Sequence, residues 1–140
     1  MKQADREKLD RILPLVRERV RTLAEIPPMI DFFFRDPTHL TAPDLSQKRY
    51  DVRQVAGALR AVNEVLHDCD PWTSEAIVQV VTACAERIGW KRGDLFMAIR
   101  VAVTGRAVTP PLTESMEILG RDTCTSRIGR AVELLEGGEA

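Results

Sequence analysis

Apolar side chains recur at three- and four-residue steps through nearly the whole chain, and no stretch alternates with period two for long. Leu9, Ile12, Leu13, Val16, Val20 and Leu23 set the pattern near the start, and Val52, Val55, Leu59, Val62 and Leu66 repeat it. Such spacing lays apolar groups along one face of an α-helix, whereas a half-buried strand requires strict alternation. The fold class expected is therefore all-α, with amphipathic helices burying their apolar faces on one another. A length of 140 residues suffices for one domain with an ordinary core, or for two small helical subdomains.

Turn chemistry divides the helices. Thr22 and Glu25 have capping-box spacing, which ends a first helix near Arg21 and starts a second carrying Ile26, Met29, Ile30 and Phe33. Pro27 and Pro28 are tolerable there because they fall in the first turns. Residues 35–47 hold Pro37, Pro43, Asp36, Asp44 and Thr41 and read as a loop. Further helices are predicted over 50–66, 73–88 and 91–104, a short one after Pro110, and a last one over 122–136, with Gly120 separating the final two. Asp68, Cys69, Asp70 and Pro71 form the strongest break, which predicts two packed helical subdomains, 1–70 and 71–140.

Several function classes are excluded or left unsupported. The chain carries no glycine-rich phosphate loop, HExxH or GxSxG, and no arrangement of His with a carboxylate or thiol that marks an enzyme, so no catalytic residue is assigned. Cys69, Cys84 and Cys124 form no CxxC pair, and only His39 and His67 could join them, so no metal site, no cofactor and no disulfide framework is expected. A reducing cytoplasm is the simplest setting for such thiols. The charged start MKQADREKLD has no apolar signal core, and no apolar run approaches the roughly 18 residues that span a membrane. His67 and its neighbours Asp68 to Asp70 read as a polar helix end, and Phe32, Phe33 and Phe34 as packing material rather than a base-stacking platform. Trp72 and Trp90 each follow a break and are placed at a seam.

Bulk charge is near neutral at −1, so any anionic partner must be met by local clustering. Between residues 84 and 130 eight basic side chains stand against five acidic ones, a local net of +3. The segment 89–120 is the sharpest part of that cluster. Leu95, Phe96, Ile99, Val101, Ala102 and Val103 would bury a helix there, yet Arg100 lies among them, and Thr109, Pro110 and Pro111 force a turn into the next helix. A guanidinium in an apolar helix needs a partner, and its five-donor fork suits a phosphate or a base edge. An internal carboxylate, Glu114 or Glu117, would serve equally well, and the residues alone leave both options open. Arg17, Arg19 and Arg21 diverge by about 200° per pair on a helix and cannot share one ligand. By themselves they read as a solvated face whose cations favour a helix C-terminus.

Two motifs in this order resemble a known family. GWKRGDLFMAIRVAVTGRAVTPPLTESMEILGRD is similar to the C-terminal anticodon-binding region of bacterial glutamyl-tRNA synthetases, including its T-G-x3-S/T-P-x-L run, and LPLVRERVRTLAEIPPMIDFFFRDP resembles the earlier helical segment of the same region. Ala98 stands where the family usually has Pro, Ile99 replaces Leu, and Thr113 replaces Phe. The resemblance implies an all-α helical cage that grips the anticodon loop for a catalytic domain whose HIGH-like and KMSKS-like signatures are missing here. ATP and magnesium would belong to that domain, and this chain would be an expressed fragment or a split-off module. Mapped by motif, Arg100, Thr109, Pro110, Pro111 and Leu112 would lie beside the first two anticodon bases and Arg19 near the third, an arginine there being typical of members that prefer tRNA(Glu) to tRNA(Gln). Phosphate contacts would come from Lys91, Arg92, Arg106, Arg121 and Arg127. Partners implied are the tRNA(Glu) anticodon stem-loop and the parent catalytic domain, with the module itself a monomer and its binding weak and steeply salt-dependent. The alternative is a helical protein-interaction domain derived from that module that no longer binds tRNA.

Overall fold

In the computed structural model, residues 3–16, 31–33, 50–106 and 109–137 are described. Among them lie six α-helices: α1 Gln3–Val16, α2 Val52–His67, α3 Ser74–Ile88, α4 Arg92–Thr104, α5 Leu112–Leu119 and α6 Arg121–Gly137. A 3-10 turn, Asp31–Phe33, lies among the described residues between α1 and α2. The all-α expectation holds, and α2 to α6 begin and end within two residues of the predicted positions. The predicted capping box at Thr22 and Glu25 and the predicted loop over 35–47 lie outside the described residues.

Local chemistry explains the boundaries. Asp51 and Gln54 form a reciprocal capping box at the start of α2: the Asp51 carboxylate accepts the Gln54 N–H at 2.8 Å, and the Gln54 side-chain oxygen accepts the Asp51 N–H at 2.9 Å. Such a cap stabilises a helix by about 1 kcal/mol. Thr73 caps α3 in the same sense through its hydroxyl at 3.2 Å from the Ala76 nitrogen. Helix α3 ends on Gly89 at φ 78°, where the Trp90 N–H reaches back to the Ala85 carbonyl at 2.9 Å, a closure that needs a left-handed residue.

Helix α2 lies along α6 and also meets α3 and α4, while α5 packs on α1, α3 and α6. The 3-10 turn touches both α4 and α5 and buries Phe32 and Phe33, stacked at 4.2 Å between ring centroids. These phenylalanines are core, as expected; Phe34 lies outside the described residues. Ile12, Leu59, Leu66, Ile77, Ile99, Met116, Ile128 and Leu135 are fully buried in one hydrophobic cluster, each apolar side chain contributing about 1.5–3 kcal/mol. Helices on both sides of Asp70 and Pro71 supply that cluster, so the break there turns the chain without interrupting the core. Across it, Trp90 stacks on Tyr50 at 3.7 Å and the Tyr50 hydroxyl donates to Asp94 at 3.3 Å, while just past it the Trp72 indole N–H donates to the Met116 carbonyl at 2.8 Å. No helix among the described residues is long and apolar enough to cross a membrane.

Candidate nucleic-acid interface

Helix α4 positions the candidate site. Its inner face buries Leu95, Ala98, Ile99, Ala102 and Val103. Ala98 keeps the backbone N–H that a proline would remove, so the hydrogen-bond ladder needs no kink at that position. Phe96 and Val101, expected on the buried side, are only partly buried. That difference has a geometric reason: Arg92, Phe96 and Arg100 are four residues apart and share a stripe along one side of the helix. The Arg92 guanidinium lies over the Phe96 ring at 5.4 Å from its centroid. The stripe is thus basic, aromatic, basic, with Lys91 and Arg92 exposed at one end and Arg106 exposed just past the other.

Arg100 is half-buried, and its Nε is fully removed from solvent with no acceptor among the described residues. Neither carboxylate considered from the sequence pairs with it. Glu117 accepts the Ser74 N–H at 2.8 Å and faces Arg11 at 3.8 Å, and Glu114 is exposed. An unsatisfied buried donor costs about 1–3 kcal/mol, more for a charged group; the Arg121 Nε shares that state, but the rest of its guanidinium is bonded within the fold.

The break after α4 is held by a compact set of bonds. Gly105, at φ 75°, donates to the Val101 carbonyl at 2.8 Å, a position that favours glycine. The Thr104 hydroxyl lies 2.7 Å from the Arg100 carbonyl and 3.1 Å from that of Arg106, and it accepts the Arg106 N–H at 3.1 Å. A single hydroxyl proton serves one of those carbonyls at a time. Beyond the break, the Thr109 hydroxyl donates to the Pro110 carbonyl at 2.7 Å, and the Pro111 carbonyl accepts both the N–H of Ser115 at 3.0 Å and its hydroxyl at 2.7 Å. Helix α5 therefore starts with its first N–H groups lacking intrahelical acceptors, as any helix does, beside a turn with no proline donor.

The structure distributes the sequence-derived residues unevenly. Lys91, Arg92, Arg100 and Arg106 lie along one helix and its terminus, and Thr109 and Pro111 are partly exposed in the turn that follows. Pro110 and Leu112 are buried, Leu112 at 4% exposure, so Leu112 is core at the start of α5 rather than a free apolar wedge. Arg127 is only 5% exposed and donates to the Val103 carbonyl at 2.9 Å, which withdraws it from any phosphate. Arg121 donates to the Cys69 carbonyl, lies 4.0 Å from Asp70 and covers the Trp72 ring at 5.7 Å, with about a third of its side chain exposed. Both were expected to hold the tRNA backbone, and both are instead engaged with carbonyls of the fold. Arg19 lies outside the described residues. Phe96 packs partly against the core, as expected, and also shares a stripe with Arg92 and Arg100, which its four-residue spacing from both signals.

Comparisons with known proteins bear on the family and the fold. The family model described as "Anticodon binding domain" matches residues 1–132. The glutamate–tRNA ligase of Roseiflexus castenholzii is 36% identical over 136 residues, covering 97% of this chain and 27% of that protein. That of Chloroflexus aurantiacus is 38% identical over 137 residues, covering 96% of the chain and 27% of the relative. The matching part is the C-terminal region of these proteins. A crystal structure of a glutamate tRNA ligase from Elizabethkingia meningosepticum superposes with a TM-score of 0.80 at 27% identity, over 92% of this chain and 25% of that one. The chain thus spans about a quarter of the length of the relatives it matches.

Proposed function

The chain belongs to the anticodon binding domain family, in the branch that forms the C-terminal region of glutamate–tRNA ligases, and on that premise we propose that it recognises the anticodon loop of tRNA(Glu). The observation that carries the reading is Arg100, a half-buried cation whose Nε meets no acceptor within the described fold. Unstacked loop bases expose edges and π-faces, and the Arg92, Phe96, Arg100 stripe offers a fork of donors beside an aromatic ring. Arg100 reads base edges, while Thr109 and Pro111 shape the wall beside it; Lys91, Arg92 and Arg106 hold backbone phosphates and fix register. Arg19 supplies the third-base contact that favours tRNA(Glu). The module acts as a cytoplasmic monomer alongside a glutamate-activating domain, to which ATP and magnesium belong, and performs no reaction itself.

Titrating the chain at low salt with a fluorescently labelled tRNA(Glu) anticodon stem-loop, and with the same loop carrying an exchanged anticodon, tests the proposal. Wild type is expected to prefer the cognate loop, and Arg100→Ala to weaken cognate binding by roughly tenfold or more, the size of one charge-assisted hydrogen bond, with no loss of thermal stability. Failure of the wild type to bind either loop favours the helical protein-interaction domain.

A further inference from the structure

Three basic side chains belong to α6, and the mechanism above makes no use of the one that is most deeply buried. Arg127 crosses from α6 to the last turn of α4, where its Nη1 donates to the Val103 carbonyl at 2.9 Å. Val103 stands three residues after Arg100, in the same helical turn, and is the residue before Thr104, whose hydroxyl lies within hydrogen-bond distance of the Arg100 and Arg106 carbonyls and donates to one at a time. The final carbonyls of a helix have no intrahelical donor, and a cation there also meets the negative end of the helix dipole. Thr104, Gly105 and Arg127 thus satisfy carbonyls of one turn from three directions, and only Arg127 comes from another helix.

We infer that Arg127 is a positioning residue for anticodon recognition: by fastening the end of α4 to α6 it fixes the direction in which Arg100 and the turn of Thr109 meet the loop. This rests on the anticodon-binding reading and deepens it. A phosphate contact and an internal cap make opposite predictions. A cation bound to phosphate releases counterions, so its removal weakens binding to every sequence and flattens the dependence of log K on log salt by about 0.7 per contact. A buried cap releases none. Its removal lets Arg100 move relative to the turn, which erodes discrimination between loops while leaving sequence-independent affinity in place.

The test uses the full chain, wild type, Arg127→Met and Arg127→Lys, against the tRNA(Glu) anticodon stem-loop and the exchanged-anticodon loop across a salt series, with circular dichroism confirming helicity. Arg127→Met is expected to lower the cognate preference by roughly tenfold, one charge-assisted hydrogen bond's worth, with unchanged affinity for the exchanged loop and an unchanged salt slope. Arg127→Lys keeps a donor and a charge and is expected to restore part of the preference. Should the methionine variant not fold, the lysine variant carries the test alone, with a reduced preference at an unchanged slope expected. Equal weakening for both loops with a flatter slope in either variant overturns the inference, as does wild-type preference in both. A wild type that binds without preferring the cognate loop overturns the anticodon reading and this inference together.

Discussion

Helices α4 and α6 both carry arginines, and they direct them oppositely. On α4, Arg92 and Arg100 share an outer stripe with Phe96, whereas on α6, Arg121 and Arg127 turn inward onto the carbonyls of Cys69 and Val103, leaving only Arg130 exposed. The difference follows from what each helix abuts. The start of α6 meets the turn around Cys69 and its middle meets the end of α4, and both places present carbonyls that need donors inside the fold. Arginine suits them because its stem packs against apolar surface while its fork supplies several N–H groups. Among the described residues, the outer side of α4 meets no such helix end or turn, and Lys91 and Arg92 stand exposed there.

The largest expected effects break this contrast at the core residues beside the arginines. Ile99→Ala and Leu112→Ala each remove a buried side chain and should lower unfolding free energy by about 2–5 kcal/mol in urea titrations. Loss of RNA binding by Leu112→Ala would then track the unfolded fraction, and binding loss in a variant with wild-type stability would instead make Leu112 a recognition residue. Next in size is Arg121→Met, which strips the Cys69 carbonyl of a donor and the Trp72 ring of its cation; about 1–3 kcal/mol should be lost. An equally stable Arg121→Met would place that guanidinium with the outward group.

A thiol in the same region reports how dry it is. Burial pushes Cys124 up from 9.0 to about 12, and the neighbouring Arg127 only partly opposes that rise. Because the folded value exceeds the unfolded one, this stability is complete below pH 9.0 and is lost as pH climbs toward about 12. The loss should run at about 1.4 kcal/mol per pH unit, and Cys124→Ala should remove that slope in alkaline urea titrations. Thiolate absorbance emerging near the ordinary cysteine range would mean that water reaches the Arg127 side of α6.

Much of this fold was legible because its breaks are chemically marked. Asp51 with Gln54, Thr73, Gly89, Gly105 and Gly120 are local signals, and local signals set helix ends. Arg100 was legible as a residue in need of a partner, but not which partner, since excluding Glu117 required knowing that Ser74 and Arg11 engage it. The inward bonds of Arg121 and Arg127 were not legible for a related reason. Charge clustering along the sequence counts cations without showing where carbonyl ends arrive, and the Val103 carbonyl lies 24 residues away in sequence from the arginine that caps it. Leu112 and Pro110 were read as turn residues facing a ligand, although the apolar side of a helix start also closes the core beneath it.

The smallest expected effect sharpens the outward side of the contrast. Lys91 and Arg92 are exposed, and exposed cations contribute little to folding, so neither Lys91→Ala nor Arg92→Ala should move stability by more than about 0.5 kcal/mol. Each should nevertheless flatten the salt dependence of stem-loop binding by about 0.7 and weaken cognate and exchanged loops alike. Arg92 allows a finer distinction, because it also lies over Phe96. If Arg92→Ala lowers the cognate preference as well as the slope, the guanidinium orders the ring for stacking and the stripe acts as one unit; if the slope alone changes, Arg92 is a phosphate contact and Phe96 works without it.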